Sequence, residues 1–207
     1  MTKVLAVLSS AMGAASLSGR IAREAVKALA AREPDLDIAW RDVGSEPIPH
    51  LTADGVTAIR GEPSNGAQEA TRALSDALVA ELKAADVLVI AAPMYNFGMA
   101  STLKSWFDHV ARAGVTFRYT EAGPEGLLAG KTAIVIETRG GVYSQGPAAA
   151  MDAQEPHIRG LLGFLGVKDV TFVRAEGLAF GPEAAEKALA SAVEAARAAV
   201  EAPRKAA

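Results

Sequence analysis

The chain has 207 residues, half of them hydrophobic and 22% charged, with a formal net charge of -3. That length gives one large domain or two small ones, with enough chain to bury a sizeable core. The near-neutral charge gives no reason to expect nucleic acid or an anionic membrane as partner, and the absence of cysteine excludes a disulfide frame, a thiolate nucleophile and a cysteine zinc site.

Lys3 is followed by the apolar run VLAVL and then by small residues. Five residues fall short of the ~7–15 of a secretory h-region, so the run reads as a strand, Val4–Leu8. The stretch SSAMGAASLS (9–18) comes next, then a helical pattern with Ile21, Ala25 and Leu29 spaced by four. DIAWRDV, from Asp37, reads as a weaker, more alternating edge strand. Residues 46–68, rich in Pro, Gly, Ser and Asn, read as an irregular insertion. Leu74, Leu78 and Leu82 mark the following helix, and Val87–Ala92 the next buried strand. Leu103, Trp106, Phe107 and Val110 follow the i, i+3, i+4, i+7 stripe. Ser101 or Thr102 is the expected cap of that helix, and ARAG, ending in Gly114, its dipole-matched end.

Residues 115–130, VTFRYTEAGPEGLLAG, read as a second irregular insertion. Ala133–Glu137 and Val170–Val173 read as further strands. Between them Ile158, Leu161, Leu162 and Leu165 mark a helix, with Pro156 near its start and Gly166 at its stop. The last helix carries Leu189, Val193, Ala196 and Val200, and the tail after Pro203 is expected to fray. The longest later apolar run, VLVIAAPM, is far short of a membrane span. Strand–helix alternation of this kind argues for an α/β fold, a parallel sheet with helices on both faces. Five strands suit the doubly wound order 2-1-3-4-5. Residues 1–207 show no repeat and no interdomain linker, so a single domain is expected, in a soluble, cytoplasmic protein.

Open parallel sheets bind ligands beyond the carboxyl ends of their strands, which singles out three loops. In SSAMGAASLS, a helix starting near residues 16–18 leaves its first amides unpaired, and those donors with the helix dipole attract an anion. No lysine or arginine lies between Lys3 and Arg20, so neutral groups, with the hydroxyls of Ser10, Ser16 and Ser18, would hold a phosphomonoester. Ser16 or Ser18 would serve equally as a plain N-cap. In PMYNF, Pro93 ends the strand, and Met94, Tyr95, Asn96 and Phe97 suit a flat heterocycle with polar edges. Met94 and Phe97 would equally fill core. In TRGG (138–141), adjacent glycines let backbone approach a ligand closely, or make a tight turn. The rival phosphate motifs fail. No G-x-G-x-x-G follows the first strand, and GLLAGKT (126–132) is one residue short of a Walker loop and leads into a strand. His50, His109 and His157 fall in separate elements without a metal-site pattern, and His109 reads as a surface or interface residue.

The segments SS…SLS, APMYNF, STLKSWFDHVARAGVTFRYTEAGPEGLLAGK, TRGG and FLGVKDVTFVRAEG keep the order and spacing of one family along nearly the whole chain. The chain resembles the FMN-dependent NADH azoreductase / NADH:quinone oxidoreductase family. The resemblance implies a flavodoxin-like FMN-binding domain, a homodimer with one FMN per subunit, and two-electron reduction of quinones by NADH, which protects against electrophilic quinones. It also implies reductive cleavage of aromatic azo compounds to amines, an azo bond taking two rounds. Donor and acceptor would use one site in turn, with ping-pong kinetics. Carried over, Ser10 and Ser16-Leu17-Ser18 match the phosphate side. Met94-Tyr95-Asn96-Phe97 and Thr138-Arg139-Gly140-Gly141 match the two flavin-flanking loops. Phe97, Phe117 and Tyr119 would line the substrate slot. The flavin carries the chemistry, so no catalytic side chain is assigned. The sequence departs from the family in its plain AMGAA, in Thr138 where serine is also common, and in Leu161, where some relatives carry an aromatic that narrows the slot. Two other classes fit a flavodoxin-like fold. A single-electron carrier would be shorter and acidic, and a flavin-binding scaffold would not be bleached by NADH.

Overall fold

A computed structural model describes residues 1–201; the tail beyond Pro203 lies outside them. Five parallel strands form the central sheet in the order β2-β1-β3-β7-β8. They are β1 Lys3–Leu8, β2 Asp37–Asp42, β3 Val87–Tyr95, β7 Thr132–Thr138 and β8 Asp169–Ala175. This is the expected 2-1-3-4-5 order, with the strand order reversing between β1 and β3. A two-residue strand β4, Gly98–Met99, turns back antiparallel on the end of β3.

Strands β1, β3 and β7 are buried on both faces because helices cover both, whereas the edge strands β2 and β8 are partly exposed. Val4, Ala6 and Leu8 alternate with Leu5 and Val7 between two separate cores, as Val87 and Val89 do with Leu88 and Ile90. One face packs on α1, Leu17–Arg32, and α6, Pro182–Glu201, through Ile21, Ala25, Leu29, Ala192 and Ala196. The other packs on α3, Gly66–Ala84, α4, Ser101–Val110, and α5, Glu155–Phe164, through Leu78, Leu82, Trp106, Phe107, Ile158 and Leu162.

Both stretches read as irregular contain structure. In the first, α2, Ala53–Arg60, is capped by Thr52, whose hydroxyl accepts from the Gly55 amide. Asn65 caps α3 through the Gln68 amide. In the second, β5 Phe117–Thr120 and β6 Gly123–Gly126 form an antiparallel hairpin. GLLAGKT ends there as a turn into β7, with Gly130 at φ +82°. The α4 helix has no side-chain cap. Ala100 precedes it, and the Thr102 hydroxyl instead donates to the Ser9 carbonyl, tying α4 to the end of β1.

The α4 helix also stops at Val110 and not at Gly114. Arg112 is buried, where it donates to the Ser75 hydroxyl and pairs with Asp76, so it is no exposed end-of-helix cation. His109, read as a surface or interface residue, is 1% exposed within the chain itself and shares a hydrogen bond with the Pro49 carbonyl at 3.0 Å. Burial holds its imidazole below the usual histidine range, against the pull of that carbonyl and Asp108.

Candidate functional site

The loops after β1, β3 and β7 meet at the carboxyl edge of the sheet, and hydrogen bonds tie them to one another. The Ser9 hydroxyl donates to the Ala91 carbonyl of β3 at 2.8 Å. The Tyr95 hydroxyl accepts from the Ala11 amide at 3.2 Å and lies 3.4 Å from the Ser10 hydroxyl. Ser10 Oγ also accepts from the Met12 amide at 3.2 Å. The loop after β2 closes on the same place. A Cβ on Gly44 would stand 2.2 Å from the Ser10 carbonyl oxygen, so only glycine lets the two chains approach.

On the β1 side a short 3₁₀ turn, Gly13–Ala15, leads into α1. Ser16 is the N-cap. Its hydroxyl accepts from the Gly19 amide at 3.0 Å and lies 3.1 Å from the Ser18 hydroxyl. Arg20 donates its amide to the Ser16 carbonyl. The Leu17 and Ser18 amides have no acceptor among the described residues. Ser16 caps the helix, as one reading of these serines expects, and the two amides it leaves free lie at the positive end of the α1 dipole.

On the β3 side, Tyr95 pairs with Gly98 and Met94 with Met99 across a two-residue turn. Asn96 has φ +48° and Phe97 φ +70°. Two left-handed central residues make a mirror-image hairpin turn, normally filled by Asn-Gly. Phenylalanine in that place is strained, and such strain concentrates at functional sites. The turn sets Asn96 and Phe97 at the surface, Phe97 being 40% exposed. The Phe97 carbonyl accepts from the Ala153 amide at 3.0 Å, and its ring meets Tyr143 edge-on at 5.9 Å.

On the β7 side, the carbonyls of Arg139, Gly140 and Gly141 accept from the Leu178, Ala179 and Gly177 amides. That pins one side of the TRGG backbone to the loop after β8. The Gly140 and Gly141 amides are left without an acceptor among the described residues. Thr138 is buried at the end of β7. The Arg139 side chain, 0% exposed, is turned inward and bonded to Glu137, Asp152, Gln154 and Glu176.

The residues expected to line a substrate slot are divided in one chain. Phe97 meets Tyr143, whereas Phe117 is buried against Tyr119 and Phe164. Phe117 and the exposed Tyr119 border a pocket of about 320 Å³ beside Arg60 and Arg112. A cavity of about 790 Å³ lies elsewhere, bordered by the hairpin, the end of α5 and Lys131, Lys168 and Asp169 at the amino ends of β7 and β8. It contains none of the expected site residues.

The arrangement fits FMN. Free amides at a helix N-terminus suit a phosphate, and free glycine amides beside an exposed aromatic turn suit the edge and face of a flat ring. Sequence reasoning missed Tyr143, although it lies two residues beyond TRGG on the same loop. It also missed the acids around Arg139.

A family model described as flavodoxin-like fold matches residues 2–200. The FMN-dependent NADH:quinone oxidoreductase of Hyphomonas neptunium is 53% identical over 192 residues, covering 93% of this chain and 92% of that protein. The protein of the same name from Azotobacter vinelandii is 48% identical, covering 94% and 97%. Among solved structures, an azoreductase from Bacillus anthracis superposes with a TM-score of 0.88 at 28% identity, covering 97% of this chain and 99% of that one.

Proposed function

The chain belongs to the FMN-dependent NADH:quinone oxidoreductase family of flavodoxin-like fold, and from that premise we propose that it binds FMN and reduces quinones with NADH, and aromatic azo compounds to amines. The observation that carries this reading is the set of free amides of Leu17, Ser18, Gly140 and Gly141 around the strained Asn96–Phe97 turn. The chemistry FMN supplies when bound is two-electron transfer from NADH to the acceptor.

The Leu17 and Ser18 amides, with Ser10, Ser16 and the α1 dipole, hold the phosphate. Amides of Asn96, Gly140 and Gly141 face the polar edge of the ring and offset negative charge there. Met94, Tyr95 and Thr138 build the walls behind that edge. Phe97 and Tyr143 exclude water from one side of the ring face and lie flat acceptors against it. No side chain is assigned as acid or base. NADH and acceptor occupy the same face in turn, which gives ping-pong kinetics.

The two aromatic groups, Phe97 with Tyr143 and Phe117 with Tyr119, come together across a homodimer carrying one FMN per subunit. Residues 1–207 act as one FMN-binding domain in the cytoplasm. Among the described residues no helix is long and apolar enough to cross a membrane, in keeping with that assignment.

The test is direct. Purified protein mixed with FMN is expected to stay yellow through gel filtration, to elute as a dimer, and to oxidise NADH with menadione as sole acceptor along parallel double-reciprocal lines. Colourless protein after gel filtration overturns the reading. Colour without menadione turnover reduces it to a flavin-binding scaffold.

A further inference from the structure

Arg139 follows β7 directly, at the edge of the site, yet its polar groups are all taken within the protein. Nε donates to Gln154 Oε1 at 3.1 Å, Nη1 to Glu176 Oε1 at 3.1 Å and Nη2 to Glu137 Oε2 at 2.6 Å, and Nη1 is ion-paired with Asp152 Oδ2 at 3.0 Å. Its backbone amide donates to the Ala175 carbonyl, and its carbonyl accepts from Leu178. A buried guanidinium with this many partners costs a large desolvation penalty, so the fold gains something specific from its place.

The partners show what. Glu176 Oε1 also accepts from the Tyr143 and Ser144 amides at 2.8 and 3.0 Å, and the Ser144 hydroxyl donates to the same carboxylate. Asp152 Oδ1 accepts from the Gln154 and Glu155 amides at 2.9 and 3.1 Å. Gln154 Nε2 donates to the Ala92 carbonyl of β3 at 2.8 Å, and next to it the Ala153 amide holds the Phe97 carbonyl. One guanidinium therefore fixes both ends of a segment that has no α-helix or strand of its own between them. Burial alone would raise the Glu176 carboxyl, but hydrogen bonds from Ser144, Tyr143 and Arg139 outweigh it and keep the group charged.

We propose that Arg139 is a positioning residue for the acceptor and the FMN ring, clamping segment 140–153 at Glu176 and at Asp152–Gln154 so that Tyr143, Phe97 and the Gly140 and Gly141 amides keep their places. The proposal rests on the FMN reading. Arg139 touches neither ligand and acts only through the groups it holds. A displacement of about 1 Å in such groups costs rate or affinity out of proportion to the stability lost.

The experiment compares wild type with Arg139→Lys, which keeps the charge and loses the planar fork, and with Glu176→Ala, which removes the link to Tyr143 and leaves Arg139 its other acids. FMN affinity is read from flavin fluorescence on titrating apoprotein, kcat and KM from menadione reduction, and exposure of residues 142–151 from limited proteolysis without flavin. Glu176→Ala is expected to raise the FMN Kd and the menadione KM about tenfold, with a smaller change in kcat, and to speed cleavage in the segment. Arg139→Lys is expected to fall between wild type and Glu176→Ala. If Arg139→Lys does not fold, Glu176→Ala decides. Folded variants with wild-type Kd, KM and cleavage overturn the proposal, even with a lowered Tm, because the cluster is then only structural. Wild-type apoprotein that fails to take up FMN sinks the reading of function instead, while the cleavage arm still reports on the clamp.

Discussion

The α1 side of the site and the β7 side hold their loops by opposite means. Residues 4–19 contain no charged side chain, and the loop after β1 is held by neutral hydroxyls and amides, both near in sequence, such as Ser16 with Gly19 and Ser10 with Met12, and distant, such as the Tyr95 hydroxyl with the Ala11 amide. At the end of β7, a buried cation gathers carboxylates from four separate places, Glu137, Asp152, Glu155 and Glu176. With Arg159 and Arg174 also paired to Glu155, three guanidiniums stand against four carboxylates. Free amides at a helix N-terminus with no fixed charge beside them stay available to an anion. The segment after β7 has only a short 3₁₀ helix, Pro147–Met151, of its own and is held by a distant anchor.

The sharpest way to break this contrast is to remove the anchor. Arg139→Met leaves Glu137 and its neighbours buried without their shared cation and is expected to cost about 3–5 kcal/mol, measured by urea unfolding. A loss no greater than that of Ser16→Ala would erase the distinction between the two sides.

The next effect is one of pH. Burial pushes the Glu137 carboxyl up to about 8, with Glu155 and Asp152 adding to the rise and Arg139 opposing it. A folded-state value above the unfolded one means stability is fully present below the ordinary carboxylate range and is lost as pH rises through about 8. The serine side has nothing to titrate. Glu137→Gln is therefore expected to flatten the decline in Tm as pH rises from the ordinary carboxylate range to about 8. Buried His109, with its lowered value, has the opposite sign: its contribution is present above the usual histidine range and lost as pH falls below it.

Ser16→Ala removes the cap from the Gly19 amide and is expected to cost about 1 kcal/mol of stability, with weaker FMN binding, at any pH in that window. Phe97→Gly should cost least. Relief of the left-handed backbone offsets the lost ring contact to within about 1 kcal/mol, while the menadione KM rises because the aromatic wall is gone. An unchanged KM would remove Phe97 from the acceptor site.

What the sequence revealed follows the same division. Apolar strand runs, edge alternation and helices with apolar stripes are local patterns, and the five strands of the parallel sheet and five of the helices were legible in them, although β8, read from an apolar run, is only partly buried. The α2 helix was not, since ADGVTAIR is short and holds glycine and threonine. Nor was β6, since GPEG has no strand character and forms only by pairing with Phe117–Thr120. The serine loop could be read from its own letters. The surroundings of Arg139 could not, because Gln154 and Glu176 lie 15 and 37 residues away, and RGG by itself points outward, to a ligand. His109 read as a surface or interface residue, and Arg112 as part of a plain helix end, for the same reason, their partners Pro49 and Ser75 being far back in the chain.

Gly44, set against Ser10 with no room for a single added carbon, couples the end of β2 to the serine loop after β1. Randomising that codon and selecting for quinone tolerance should return glycine alone. A half-buried position just past an edge strand, outside every recognised motif, would thus behave in a mutational library as though it belonged to the active centre.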